Sequence, residues 1–383
     1  MSIVVNQTPN SPALAQSPLV FSVTDSNSAY TGSGFQYVAK LYMSRNGTFS
    51  ATPDYQMNKY PNMVGAGIFD FSKLVSSKLR DLVLDNPSQI VQYKLDLSSQ
   101  WYTSSVDGNI LQTGPTNTIT QVGGVNFYAL DGYYKFPQSI NPAPGGAFPL
   151  LTDAVDFPQY VLSDDIGYGM VWASVNRTLN YSATYENGTT SNTTYFVAAG
   201  SGPSDYIKTF PSAPGDPDFP LATVGLKSYS ISLGGSTLRY EVSCASYWDP
   251  IRVAFKNRFG SLDWITFSGR SNRDFQTEQR VYQPQLGSWN ASTLSYNTHQ
   301  ARTQRYIVDA TEKLTCNTDW IEEGYNELFR QLLLSDEIYY YSGTDYIPIS
   351  IITDNMRFKT RKGDKLIQYT IEFGIGQSYK QII

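Results

Sequence analysis

The sequence predicts an all-β protein of tandem β-sandwich-like domains, with one short helix in the N-terminal domain and one longer helix near the C-terminus. Three observations carry this. Aromatic residues make up 14% of the chain, with tyrosine (29) well ahead of phenylalanine (19) and tryptophan (6). Aromatic and β-branched side chains suit a pleated, half-buried surface. Several stretches alternate apolar and polar residues with a period of two, the mark of a strand with one buried face. Gly (29) and Pro (20), together with Asn, supply the turns that many short strands need. A length of 383 residues is enough for two or three domains, each with its own core. The expected division is 1–90, 91–205 and 206–383.

In the first segment, "PLVFSV" puts Leu19, Phe21 and Val23 on one face. "FQYVAKLYM" alternates Phe35, Tyr37, Ala39, Leu41 and Met43 with Gln36, Lys40 and Tyr42. "GAGIFDFSKLVSSKLRDLV" reads as a strand entering a short helix capped by Ser72. In the middle, "QIVQYKLDLSSQWYT" and "VNFYALDGYYKF" read as strands. "GMVWASVNRTLNYSATYENGTTSNTTYFVAAGSG" reads as a hairpin around a polar turn, and "PSAPGDPDFP" as a linker, because proline cannot donate to a ladder.

The last segment is the most legible. "WDPIRVAFKNRFGSLDWITFSGR" gives a strand with Ile251, Val253 and Phe255 on one face, a turn at Asn257 to Gly260, and a return strand over Trp264 to Phe267. "TDWIEEGYNELFRQLLLS" predicts the longest helix, from Asp319 to Leu334. Asp319 and Glu322 form a capping pair, and Ile321, Tyr325, Leu328 and Leu332 form an apolar stripe widened by Phe329 and Leu333. "EIYYY" and "YIPISII" read as strands. The stretch "TDNMRFKTRKGDKLIQYTIEF" then reads as a hairpin turning at Lys362-Gly363-Asp364-Lys365. Its second arm buries Ile367, Tyr369, Ile371 and Phe373. Its first arm carries Arg357, Lys359 and Arg361 on one face, with Gln368 and Glu372 within cross-strand reach.

That basic face is the one candidate site of interaction, and Arg357, Lys359 and Arg361 are the candidate protein-interface residues. Three readings stay open: a solvated face that guards the sheet against aggregation, a contact for an acidic neighbouring protein, and nucleic-acid readout. The formal net charge of −5 argues against a general nucleic-acid binder.

Signals of chemistry are sparse. His299 is the single histidine, so a histidine-based triad would have to use it, and no multi-histidine metal site can form. It lies in the polar stretch "SYNTHQARTQR" without a nucleophile-elbow pattern. No phosphate-binding glycine loop is present; "GAGIFD" stops short of one. The carboxylate pairs Glu322-Glu323, Asp164-Asp165 and Asp216-x-Asp218 have neither helical spacing nor an EF-hand pattern. Cys244 and Cys316 are the only cysteines, read as small buried apolar residues of a protein folded in a reducing cytoplasm. No signal peptide or membrane-spanning apolar run is expected. Sequons occur at Asn6, Asn46, Asn176, Asn180, Asn187, Asn192 and Asn290, and are expected to be unused. Charged residues are 16%, below the roughly 25% of ordinary soluble domains, and tyrosines exceed what a core normally takes. Tyrosine and tryptophan at such levels fit interfaces or sugar-stacking platforms.

Three pieces together resemble structural proteins of tailed bacteriophages of Bacteroidetes-type hosts, including crAss-like phages. These are "GAGIFDFSKLV", the hairpin "KNRFGSLDWITFSG" with Asn257, Gly260, Asp263 and Trp264 at the matching positions, and "YIPISIITDNMRFKTRKGDKLIQYTIEF". The match covers about a third of the chain, mostly its ends, and its motifs are structural. The resemblance implies a non-enzymatic virion component, at the tail or baseplate, assembled in the host cytoplasm. It implies no cofactor, metal or active site. Expected partners are copies of the chain in a ring and neighbouring virion proteins, with no specific nucleic acid and no membrane insertion. Alternatives are a neck-ring or head-decoration protein, or an adhesin that binds a host-surface glycan. The Pro-rich arm from Met1 to Pro18 is expected to strap onto a neighbour.

Overall fold

The computed structural model describes residues 3–25, 34–87, 89–105, 108–120, 126–135, 150–155, 157–202, 205–243, 247–285, 287–290, 292–295, 299, 301–360, 366–376 and 379–382. Strands occupy 52% of the chain and helices 5%, so the all-β class holds. The chain divides into two compact units. The first comprises Met1–Cys244, Phe255–Asp263 and Glu327–Glu337; the second comprises Ala245–Ala254, Trp264–Asn326 and Ile338–Ile383.

The first unit opens with a sandwich. A three-stranded sheet (Ile3–Gln7, Val20–Asp25, Ala66–Asp70) faces a seven-stranded one. The order there is Ala13–Leu14, Phe127–Leu130, Ile90–Ser105, Gln36–Ser44, Tyr55–Lys59, with Gly108–Thr113 and Asn117–Ile119 also paired to the long strand. The alternation read from sequence is realised: Leu19, Phe21, Val23, Phe35, Tyr37, Ala39, Leu41 and Met43 are all buried in one core. Phe21 meets Phe127 edge to face at 5.3 Å, and Tyr93 stacks on Phe127 at 5.4 Å. Aromatic pairs of this geometry add specificity to plain area burial.

The expected boundary near residue 90 falls inside this sheet. Ile90–Ser105 pairs antiparallel with Gln36–Ser44 along nine residues, from Gln36↔Gln100 to Ser44↔Gln92. The N-terminal arm also departs from expectation. Ala13–Leu14 pairs parallel with Ala129–Leu130, and Ala13, Leu14 and Ala15 are buried. An apolar Ala-Leu-Ala segment gains more from its own core than from water, so from residue 3 on the arm is used within the chain. The short helix is present at Ser72–Ser76, but Ser72 is its first residue and supplies no side-chain cap. Asp70 does that work, its Oδ1 accepting from Ser72 N at 3.0 Å and from Leu19 N at 3.0 Å.

A second core in the same unit lies under a five-stranded sheet in the order Pro158–Leu162, Ser236–Ser243, Leu226–Leu233, Arg177–Tyr185, Thr190–Val197. The predicted polar hairpin is its Arg177–Tyr185/Thr190–Val197 pair. The stretch read as a linker, 211–220, is instead packed into this core. Tyr181 donates to Pro211 O at 2.6 Å, Tyr229 donates to Ser212 O at 2.7 Å, and Phe219 sits edge-on to both rings. Proline cannot donate to a ladder but can close a strand and be buried: Pro211 ends strand Ile207–Pro211, opposite Tyr168, and the tyrosine hydroxyls take up the Pro211 and Ser212 carbonyls. Tyr37 does the same for Gly65 O at 2.7 Å. Part of the tyrosine excess is thus spent on fastening loops.

The second unit carries most of a sheet in the order Leu262–Phe267, Ile251–Lys256, Ile338–Tyr341, Tyr346–Ile351, Thr370–Ile375, Gln304–Asn317, Asn272–Tyr282, with Tyr379–Ile382 also on Gln304–Asn317; Phe255, Lys256, Leu262 and Asp263 are counted with the first unit. The predicted apolar face of the last hairpin arm is buried, with Ile367, Tyr369, Ile371 and Phe373 all at or below 4% exposure. The longest helix is Tyr325–Leu334, six residues shorter at its start than expected. Ile321 and Glu322 form strand pairs with Ile367 and Leu366 instead. Tyr369 N donates to Thr318 Oγ1 and Thr318 N to Tyr369 O, both at 2.9 Å, which pulls the segment before the helix into extended pairing. Asp319 therefore caps nothing with Glu322; its Oδ1 accepts from Trp320 N at 2.8 Å.

Candidate functional site

The basic face comes first. Residues 352–360 form no strand, although Arg357 and Lys359 are exposed and Phe358 between them is half-buried. Arg361 and the Gly363-Asp364 turn lie outside the described residues. The missing ladder has a physical cause. Thr370–Ile375, the arm the first strand was expected to join, already has Tyr346–Ile351 on one edge and Gln304–Asn317 on the other. With both edges taken, only Ile352 N among the described residues 352–360 still donates to a backbone oxygen of that strand, Glu372 O at 2.8 Å, and residues 353–360 are held by bonds that involve side chains. Lys359 N donates to the Tyr369 hydroxyl at 2.8 Å, Lys359 Nζ donates to Gln368 O at 2.8 Å, and the Tyr369 hydroxyl donates to Asn326 Oδ1 at 2.6 Å. Lys359 Nζ also stands over the Tyr369 ring at 5.6 Å. Glu372 pairs with neither Arg357 nor Lys359 among the described residues; its carboxylate binds Lys313 Nζ at 2.7 Å.

The weaker signals of chemistry resolve into structural uses. His299 is exposed. Asp165 Oδ2 accepts from Leu162 N at 2.9 Å, and Asp216 Oδ1 accepts from Asp218 N at 3.0 Å; each closes a turn. Glu322 lies in the short strand beside Leu366. Cys316 is buried and free, and burial pushes its thiol up to about 12, which disfavours the reactive thiolate. Cys244 is outside the described residues. Among the described residues no group of three or more His, Cys, Asp or Glu side chains is arranged to hold a metal ion.

The most strongly organised polar group in the first unit had no sequence motif. Lys256 is 5% exposed, at the end of the apolar run "IRVAF". Its Nζ reaches Asp131 at 2.7 Å, Asp336 at 3.1 Å and Glu337 at 3.1 Å. Asp131 also accepts from Gln16 Nε2 at 3.0 Å, and Glu337 Oε2 from Val83 N at 2.8 Å. Burial by itself would depress the lysine; Asp131, followed by Asp336 and Glu337, reverses this and holds the ammonium well above the usual lysine range. Three carboxylates occupy its three donors, so it stays protonated and is no nucleophile. A cavity of about 430 Å³, lined in part by Arg80, Asp81 and Leu82, adjoins the cluster.

The neighbouring turn holds the motif residues. Asn257 Oδ1 accepts from Phe259 N at 2.9 Å and Ser261 N at 3.1 Å, while its Nδ2 donates to Leu151 O at 2.8 Å. Gly260 has φ of +75°, and a Cβ there would collide with the Asp131 carbonyl; a Cβ on Gly132 would collide with the Arg258 carbonyl. Arg258 clasps Asp153, its Nη2 donating to Oδ1 at 2.7 Å, and Gln331 Nε2 adds a bond to Asp153 Oδ2 at 2.7 Å. Two backbone loops are thereby interlocked at contact distance, which only glycine permits.

Asp263 closes the motif. It is buried, and its Oδ2 has no hydrogen-bond partner among the described residues. Burial pushes its carboxyl up to about 7, Asp153 adding to the rise and Thr152 and Asn257 opposing it. The folded chain therefore binds this proton where the unfolded chain has released it. The contribution of Asp263 to stability is complete below about pH 4 and is lost as pH rises through 7. Asp263→Asn should remove that decline. The check is the urea midpoint of wild type and variant from pH 4 to 8: the wild-type curve should fall across the interval relative to the variant, and parallel curves would contradict the assignment.

Of the sequence-derived residues, the structure brings together Asn257, Gly260 and Asp263 and holds Lys359 on Tyr369. Lys256, Asp131, Glu337 and Asp153 were missed. The one available signal was a lysine directly after the apolar residues Val253, Ala254 and Phe255, which a strand pattern alone does not explain. No protein-family model matches the chain, and no curated protein matches it.

Proposed function

We propose that the protein is a non-enzymatic structural component of a tailed-phage virion, at the tail or baseplate, which assembles into a ring and joins neighbouring virion proteins. The observation that carries the reading is the use made of Asn257, Gly260 and Asp263. Each serves a backbone turn or a buried contact, as the parts of a rigid building block do. The two polar clusters around Lys256 and Asp153 are saturated by their own partners and support rigidity in the same way. Tail parts commonly close into rings through a heterologous contact between successive copies.

Detection of its peptides by mass spectrometry in purified particles tests the virion assignment, and their absence overturns it. The interface role of the basic face has a separate test. Changing Arg357, Lys359 and Arg361 together to Ser should leave the folding midpoint unchanged, because exposed charges contribute little to stability. It should lower the yield of assembled particles, and wild-type assembly should weaken with salt. Normal assembly by the triple variant would mean that the face is only solvated.

A glycan-binding role has one observation in its favour. Tyr247 (89% exposed) and Trp248 (44% exposed) meet edge to face at 4.9 Å beside exposed Asp249. Retention on host-surface polysaccharide, abolished by Trp248→Ala, would favour it over the purely architectural role.

A further inference from the structure

Strand Asn272–Tyr282 has a burial pattern unlike any other strand's among the described residues. All eleven of its residues are exposed, on both faces. It lies at the end of its sheet, paired on one side to Gln304–Asn317 from Asn272↔Thr315 to Tyr282↔Gln304, with no strand on its outer side among the described residues. A long edge strand is a row of backbone donors and acceptors ready to take another strand. Charges on such an edge often serve only to repel one. Here Arg273 is occupied by Glu312 at 3.6 Å, whereas Asp274 and Arg280 enter no ion pair among the described residues.

We propose that strand Asn272–Tyr282 pairs antiparallel with the same strand of a second copy of this chain, about a two-fold axis at Thr277. This register pairs all eleven residues and sets Asp274 of each copy opposite Arg280 of the other. It also sets Gln276 opposite Glu278, and Phe275 opposite Gln279. Directly opposed residues share a face, so a two-fold pairing can slip only by whole residues at its centre. Moving the centre to Gln276 puts Asp274 against Glu278; moving it to Glu278 puts Glu278 against itself. Opposite charges thus favour the central register and like charges disfavour both neighbours. Two other exposed edges lack this information. Thr190–Val197 ("TSNTTYFV") carries no charge, and Tyr55–Lys59 is five residues long with one. A two-fold pairing closes on itself, so it is a contact additional to any ring contact and does not depend on the virion reading.

The test uses the full chain and charge reversal. Wild type should sediment as a dimer, and Asp274→Arg and Arg280→Asp should each weaken that dimer at least about tenfold by opposing like charges. An equimolar mixture of the two variants should restore it, because every Arg then faces an Asp. Circular dichroism of each variant controls for folding. As a geometric check, Thr277→Cys should form a disulfide between copies on mild oxidation. A wild type that stays monomeric at ~100 µM would leave the charges as guards of the edge, or the edge open to a different chain, and would overturn the proposal. Variants that remain as dimeric as wild type, or a mixture no better than its components, would overturn it equally.

Discussion

Lys256→Ala is expected to destabilise the first unit by about 3–5 kcal/mol, the range for breaking a buried ion pair by deleting one partner. The size follows from what is left behind. Asp131 and Glu337 are 7% and 9% exposed in their side chains, and without the ammonium they face each other with little water. Glu337 also accepts from Val83 N, so its withdrawal would disturb that loop as well. Urea unfolding at neutral pH measures the effect. A variant that replaces all three, Lys256→Met with Asp131→Asn and Glu337→Gln, should recover much of the loss, because removing a whole buried ion cluster costs far less than orphaning its members. An unchanged midpoint for Lys256→Ala would mean that water from the adjoining cavity solvates the carboxylates freely.

Phe373→Ala should cost a similar amount, about 3–5 kcal/mol, by a different route. Phe373 is fully buried in a strand with neighbours on both edges, opposite Leu314 on one side and Ile351 on the other. Its ring meets Phe267 edge to face at 5.9 Å. Truncation leaves a cavity at the middle of the sheet, where backbone pairing on both sides prevents collapse. Denaturant unfolding should show a lower midpoint with an unchanged slope. The basic residues of the same region, Arg357 and Lys359, are exposed, and their loss should leave that midpoint in place. A large shift for those two and none for Phe373 would invert the assignment of wet and buried faces.

How much of this was legible in the sequence varies by element. The strands at Leu19 to Val23 and Phe35 to Met43 were readable because a period of two is imposed by the pleat itself. The turn at Asn257 to Gly260 was readable because its side-chain bonds and its left-handed glycine are local. The body of the helix was readable from its stripe, yet its start was not. Asp319 and Glu322 satisfy a capping pattern in isolation, but Thr318 and Ile321 gain more by pairing with Tyr369 and Ile367, some fifty residues away. The basic arm failed as a strand for the same kind of reason: its partner's edges were already filled.

By itself, then, the sequence determined the class of structure, most strand faces, the turn at Asn257 to Gly260 and many of the residues that had to be buried. These depend on interactions within a few residues, which periodicity and turn chemistry record directly. Only the tertiary structure decided which strands are neighbours. It assigned Ile90–Ser105 to the first sandwich, folded the arm from residue 3 onto its own chain, packed 211–220 into a core, and gathered Lys256, Asp131, Asp336 and Glu337 from three distant segments. Pairing partners and ion clusters are chosen by competition among all available edges and charges. That competition is non-local, and no pattern along the chain carries its outcome.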